Sequence, residues 1–247
     1  MNFEKIFHDI RAEVQDALDH GEPCLRNAPF PDWQDIEFRW FLTQKLPPEA
    51  KENRENKNAD SISSSSHHLI FIGMNPAEAT RFAGTKDHGD PTCARLLNAC
   101  KNNKYPEYFR PISRLSFFNL VPIVDKHPDD AKLKWTKRVG KQQQEILELN
   151  TIVLQKLIEL EDDFIVIPAF GVGLKPSDWR WLGFEAVLPV LKEIPEPDKR
   201  IVSVMSKDNK RGPYHPRNWS TKGLPSIKFT PSLDALNKLA QKTSHKH

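Results

Sequence analysis

The sequence predicts an α/β domain whose mainly parallel sheet is covered by helices on both faces. Three observations carry this. From residue 67 onward, short apolar runs alternate with segments of helical periodicity. The strongest run, Leu69–Ile72, stops at Gly73 and is followed at once by Asn75-Pro76. Another run, Ile201–Met205, leads toward Gly212-Pro-Tyr-His-Pro216. Open α/β sheets bind ligands at the carboxyl ends of their strands. Asn75 and His215, each just past a candidate strand, are therefore candidates for one shared site.

The elements follow in order. Phe3, Ile6, Phe7, Ile10, Val14 and Ala17 recur at helical spacing, and Gly21 and Pro23 end that helix. Trp33, Ile36, Phe38, Trp40 and Phe41 form an aromatic-rich patch, expected to dock a helical N-terminal extension, residues 1–46, on the main domain. Residues 47–66 are polar and end in a serine run, a composition that cannot bury a core and predicts a flexible linker or loop. The main domain is expected over residues 67–241. Inside it we expect strands at Leu69–Ile72, Leu115–Val121, Phe164–Ala169, Ile201–Met205 and Ser226–Phe229. Helices are expected at Thr92–Cys100, Gln142–Leu160 and Phe184–Leu191, with a last helix opened by Thr230-Pro231 in cap-then-proline order. The tail, 242–247, is expected to be disordered.

Composition narrows the function classes. The 247 residues carry 36 basic and 33 acidic side chains, a formal charge of +3. That balance neither demands nor excludes nucleic acid. Placement says more: Lys207, Lys210, Arg211, Arg217 and Lys222 stand against one acid, Asp208. A local basic loop can grip phosphates whatever the whole-chain charge. Cys24, Cys93 and Cys100 share no metal-ligand spacing, and an odd count suits a reducing compartment better than a disulfide framework. No run approaches the roughly 20 apolar residues of a spanning helix. Met1-Asn-Phe-Glu-Lys5 is no signal peptide. We expect a soluble cytoplasmic monomer that needs no cofactor or metal.

Gly73-Met-Asn-Pro76 resembles the first catalytic motif of the uracil-DNA glycosylase superfamily, especially its mismatch-specific and single-strand-selective branches. His215-Pro216, with Arg217-Asn218 and Lys222-Gly223 behind it, resembles the second. Phe118-Asn119-Leu-Val-Pro122 is similar to the strand whose Asn reads the target base, and Ile165-Val-Ile-Pro-Ala-Phe-Gly171 to a later strand-to-glycine turn. The chain also resembles a family of uncharacterised bacterial and phage proteins, through Asp90-Pro-Thr92 with Arg95, Asn119-Leu120 and Gly212-Pro-Tyr-His-Pro216. Two departures stand out. Ala77-Glu78 replaces the Gly that usually follows N-P, and His215-Pro216 lacks the usual Ser-Pro.

The resemblance implies a three-layer α/β/α fold and a monofunctional DNA glycosylase that leaves an abasic site. Asn75 would orient water, because a neutral amide is a poor base. His215 would donate a hydrogen bond to the base as it departs with negative charge. Asn119, with donor and acceptor on one amide, would read an extruded pyrimidine. Phe82 or Phe118 would stack on that base. Asp90 would accept from an exocyclic amino group, which cytosine has and uracil lacks. Lys210, Arg211, Arg217 and Lys222 would hold phosphates, and Tyr214 or Trp219 would fill the gap left in the stack. With Asp90, Glu78 and the missing Gly, an unusual or modified pyrimidine is the expected target, in DNA repair or in defence against phage.

Plainer roles stay open. Asn75 before Pro76 is also a turn residue, and Asp90-Pro-Thr92 is also a helix cap. Asn119 could belong to a buried structural network, and the basic loop could be merely solvated. A catalytically silent nucleic-acid-binding module and a nucleoside or nucleotide N-glycosidase are the rival functions.

Overall fold

The apolar run at Leu69 becomes the centre of the sheet. Strand β3 (His67–Gly73) pairs in parallel with β4 (Ile112–Asn119) on one side and with β5 (Phe164–Pro168) on the other. Every residue from His68 to Gly73 is buried, as a strand covered on both faces requires. The computed structural model of the chain describes residues 3–28, 30, 33, 35–47, 67–76, 92–94, 96, 97, 109, 111–171, 173–206, 213 and 227–241. The expected linker beyond residue 47 and the tail at 242–247 lie outside the described residues.

Strand β2 (Phe38–Lys45) runs antiparallel to β4, and the short β1 (Cys24–Asn27) runs antiparallel to β2, giving the order β1-β2-β4-β3-β5. Beyond β5, a parallel bridge between Val166 and Ile201 leads into β6 (Val202–Ser206), which pairs antiparallel with β7 (Ile227–Pro231). The sheet is therefore mixed, rather than mainly parallel. Two of its four pairings, β3–β4 and β3–β5, are parallel, and β2 is the strand that runs against the others.

The N-terminal residues also differ from expectation. Residues 1–46 are not a purely helical extension, because β1 and β2 belong to the main sheet. The aromatic patch is largely β2 itself. The β1–β2 register shifts between Leu25 and Arg26, a bulge that breaks period-2 alternation and lets Trp40 and Phe41 both enter the same core. Short hydrogen bonds hold this region. Trp40 Nε1 donates to Asn27 Oδ1 at 2.9 Å, Asn27 Nδ2 donates to Glu13 at 2.7 Å, and Arg26 grips Glu37.

The helices are α1 (Phe3–Asp19), α2 (Pro128–Leu133), α3 (Gln143–Glu159), α4 (Trp181–Lys192), α5 (Pro197–Arg200) and α6 (Leu233–Gln241). A π turn, Lys134–Val139, and a 3-10 turn, Gly140–Gln142, join α2 to α3. Ile70, Ile72, Phe118 and Val166 pack under Val153 and Leu157 of α3 and Phe184 and Leu191 of α4. On the other face Leu69, Phe71, Phe117 and Ile167 meet Cys93, Leu96, Leu97 and Phe109. Residue 93 and its helical neighbours match the helix expected from Thr92. Pro231 closes β7 instead of opening the last helix, which starts at Leu233.

Helix α4 approaches the sheet closely at Gly183. A Cβ there would stand 2.2 Å from the Leu120 carbonyl oxygen, a backbone atom with no rotamer to yield. Near the amino ends of the strands lies a buried polar chain. His68 Nε2 and Ser116 Oγ are 2.7 Å apart, and Ser116 Oγ donates to Thr43 Oγ1 at 2.9 Å. Arg114 reaches Thr43 Oγ1 at 3.3 Å and donates through Nε to Glu161 at 2.9 Å. Burial, and secondarily the charge of Arg114, push the His68 pKa down to about 3.

Two outcomes follow from these contacts. Gly183→Ala should lower stability by about 1–3 kcal/mol, the usual cost of forcing bulk into a packed contact, read as a reduced denaturant midpoint. His68 stays neutral in the folded chain well below its ordinary pKa of 6.5, whereas the unfolded chain takes up the proton. Its contribution is therefore complete above pH 6.5 and is lost as pH falls toward 3, by up to about 1.4 kcal/mol per pH unit. His68→Gln should flatten that acid limb in melts run from pH 7 to pH 4; an unchanged slope would assign the limb to other groups.

Candidate functional site at the carboxyl edge of the sheet

Gly73, Asn119, Pro168 and Ser206 end β3, β4, β5 and β6 at one edge of the sheet. Past that edge, backbone bonds continue the β3–β4 ladder. Leu120 N–H donates to Gly73 O at 2.9 Å, Val121 N–H to Met74 O at 3.0 Å, and Asp125 N–H to Pro76 O at 3.2 Å. Asn75 is thus pinned through both neighbours, and its half-buried position is set by backbone. On the far side Ala169 N–H donates to Ile72 O at 2.8 Å, and Gly171 takes a φ of 89°, a turn that favours glycine. This is the strand-to-glycine turn expected after β5.

Asn119 lies opposite Gly73 in the parallel register. It is 2% exposed, and neither Oδ1 nor Nδ2 has a hydrogen-bond partner among the described residues. A buried amide without partners is costly, on the order of 1–3 kcal/mol, and is rare in a native interior. A Cβ at Gly73 would stand 2.9 Å from Asn119 Oδ1 and 2.6 Å from the Phe117 ring, so this spot must stay free of a side chain.

Phe118 points the other way. It is fully buried in the helix-side core with Ile70 and Ile72, on the face opposite Asn119. Strand alternation therefore removes it as a stacking platform for a base held by Asn119. Phe117 is the aromatic on the same face as Asn119. Phe82, Asp90, Lys210, Arg211, Tyr214, His215, Arg217, Trp219 and Lys222 lie outside the described residues, as do Glu78 and Arg95. The ends of the segment that carries His215 are described: Ser206 and Ile227 are paired at this same edge. Pro213, two positions before His215, is buried.

Three residues at this edge have no counterpart in the sequence reading. Arg39 is 1% exposed, with its guanidinium 5.8 Å from the centre of the Phe117 ring. Its backbone N–H donates to Pro122 O at 2.8 Å, which sets β2 beside the chain that leaves Asn119. A fixed positive charge thus lies on the Asn119 face. Asn150 of α3 is also buried and donates through Nδ2 to Asn119 O at 2.8 Å and Leu120 O at 3.3 Å. Gly183 of α4 closes on the same Leu120 carbonyl. An isolated Arg in an aromatic strand and a lone Asn in an amphipathic helix, Gln142–Leu160, give little signal, though Asn150 does interrupt the apolar face.

Asp125 closes the rim. Burial tends to raise its pKa, but the Lys134 ammonium at 2.8 Å and the His127 N–H outweigh it and hold the carboxyl below its usual range. It remains a charged structural anchor and no proton donor at neutral pH. The arrangement puts two amides, Asn75 and Asn119, at the ends of paired strands, with a buried guanidinium on the Asn119 face.

Replacing Asn119 by Leu, which has nearly the same shape and no polar atoms, should raise the unfolding midpoint by the equivalent of about 1 kcal/mol or more. A lowered midpoint would mean that the amide is bonded in solution.

No curated protein and no solved structure matches the chain. A family model described as "Protein of unknown function (DUF1643)" matches residues 39–217, a stretch that includes Arg39, Asn75, Asn119, Asn150, Gly183 and His215. Because that match covers more than half of the 247 residues, the chain belongs to the DUF1643 family.

Proposed function

We propose that this chain is a monofunctional DNA glycosylase on a uracil-DNA-glycosylase-like three-layer fold, hydrolysing the N-glycosidic bond of an unusual or modified pyrimidine. One observation carries the reading most: the Asn119 amide is buried and unpartnered beside side-chain-free Gly73, at the edge where Asn75 is pinned. A site that keeps costly unmade hydrogen bonds is matched to a ligand that makes them. A pyrimidine edge, with donor and acceptor side by side, is such a ligand.

The bond between C1′ of the sugar and N1 of the base breaks, and its electron pair leaves with the base. Asn75, through its carbonyl oxygen, orients the water whose oxygen then bonds to C1′. That water's proton ends on solvent. His215 donates a hydrogen bond to the oxygen of the departing base, and Asn119 holds the base's edge. The buried charge of Arg39 favours the same anion. Lys210, Arg211, Arg217 and Lys222 hold the flanking phosphates, and the target nucleotide leaves the stack to reach the edge. A reducing cytoplasm, in DNA repair or phage defence, is the setting that fits this chemistry.

Oligonucleotides carrying uracil or 5-substituted cytosines, and native DNAs with modified bases, should yield alkali-labile sites and a free base identified by mass. Asn75→Ala should cut the rate by at least about tenfold. His215→Ala should lower kcat by about 10²–10³, the usual cost of losing one donor to a developing anion. DNA retarded but never cleaved would favour the silent binding module. Action on free nucleosides alone would favour the nucleotide enzyme.

A further inference from the structure

A second surface at the carboxyl edge is built for a polyanion, on the helix side and made of different chain from the 207–226 segment. The path to it is continuous. Pro76 O accepts from Asp125 N–H, and Asp125 binds Lys134 at 2.8 Å, so the α2–π-turn segment starts beside Asn75. Lys132 lies close enough to Asp178 to help lower that carboxyl's pKa, which burial opposes and Arg180 dominates. The segments that follow β4 and β5 therefore meet at this rim.

The charges on the rim are unbalanced. Asp125 is taken by Lys134 and Asp178 by Arg180, the latter at 2.6 Å. Lys132, Lys137, Lys141 and Lys175 are exposed, and none of them forms an ion pair among the described residues. Lys132 is in the last turn of α2, Lys137 in the π turn that continues it, and Lys141 just past Gly140, whose φ of 49° ends that turn. The acids Asp129 and Asp130 are confined to the first turn of α2. Leu133 and Leu182, the large apolar side chains most exposed among the described residues at 57% and 47%, lie on these same two segments. Exposed basic and exposed apolar side chains on the same two segments fit a nucleic-acid strand, whose phosphates pair with ammonium groups while sugars and bases cover the leucines.

We infer that the rim formed by Lys132, Lys137, Lys141 and Lys175 with Leu133 and Leu182 is a DNA-binding surface that holds the strand flanking the target nucleotide. This inference rests on the glycosylase reading. It adds a grip on the substrate made of chain other than residues 207–226.

The test uses the full chain and fluorescein-labelled single-stranded and duplex oligonucleotides, with anisotropy measured over a sodium chloride series. Lys132→Glu with Lys137→Glu and Lys141→Glu should weaken binding at least about tenfold. It should also reduce the slope of log K against log salt by about 2–3, since each lost phosphate contact removes about 0.7–0.9. All three side chains are exposed, so the thermal midpoint should hold. Lys192→Glu with Lys238→Glu, flanking a shallow cleft at the opposite edge, should leave binding within about twofold. An unchanged affinity and slope in the triple variant, with excision by the wild-type chain intact, would overturn the rim and leave the glycosylase reading standing. A wild-type chain that binds no DNA would overturn both. Binding of polyglutamate as tightly as DNA at equal salt would overturn nucleic acid as the partner.

Discussion

The three backbone bonds past the end of β3 set everything at the site. They carry the β3–β4 ladder beyond the sheet and leave Met74, Asn75 and Pro76 with no freedom to reorient. They also demand that Gly73 sit against the Phe117 ring and the Asn119 amide, at a distance that no Cβ tolerates. Two helices enforce the other side, since Asn150 and Gly183 both close on the carbonyls of Asn119 and Leu120. The site is built on strand ends clamped by helices, and rigid elements hold functional groups more accurately than loops do.

The two edges of the sheet treat polar groups differently. At the amino edge His68, Ser116, Thr43, Arg114 and Glu161 form a linked chain in which His68 Nδ1 has no partner among the described residues. At the carboxyl edge Asn119 is left wholly unsatisfied, and Asn150 keeps an unpaired Oδ1. The amino edge links its polar side chains to one another, and the carboxyl edge leaves a buried amide without partners among the described residues.

Much of the central sheet was legible because buried parallel strands are short apolar runs, and Leu69–Ile72, Phe164–Ala169 and Ile201–Met205 have that form. The helix over Gln143–Glu159 was legible through the spacing of Ile146, Leu149, Val153 and Leu157. Strand β2 was not, because its bulge puts Trp40 and Phe41 into one core and erases the alternation that marks a strand. The α2 segment was hidden by its charge density, which leaves Ala131, Trp135 and Val139 as its buried positions over residues 128–139. At the site, Asn75 and Asn119 were visible as polar residues at the ends of apolar runs. The choice between Phe117 and Phe118 needed the strand's facing, which two adjacent aromatics cannot reveal. Arg39 gave no signal, since a cation in an aromatic run reads as surface until its strand is known to be interior.

The short strand β1 has an effect out of proportion to its four residues. It occupies the outer side of β2, and it lies wholly before residue 39, where the family match begins. Remove it, and β2 would present a bare row of amides and carbonyls, flanked by Phe38, Trp40 and Phe41, as a template for strand addition. The N-terminal strand thus covers the outer side of β2, which a chain trimmed of residues 24–27 would expose.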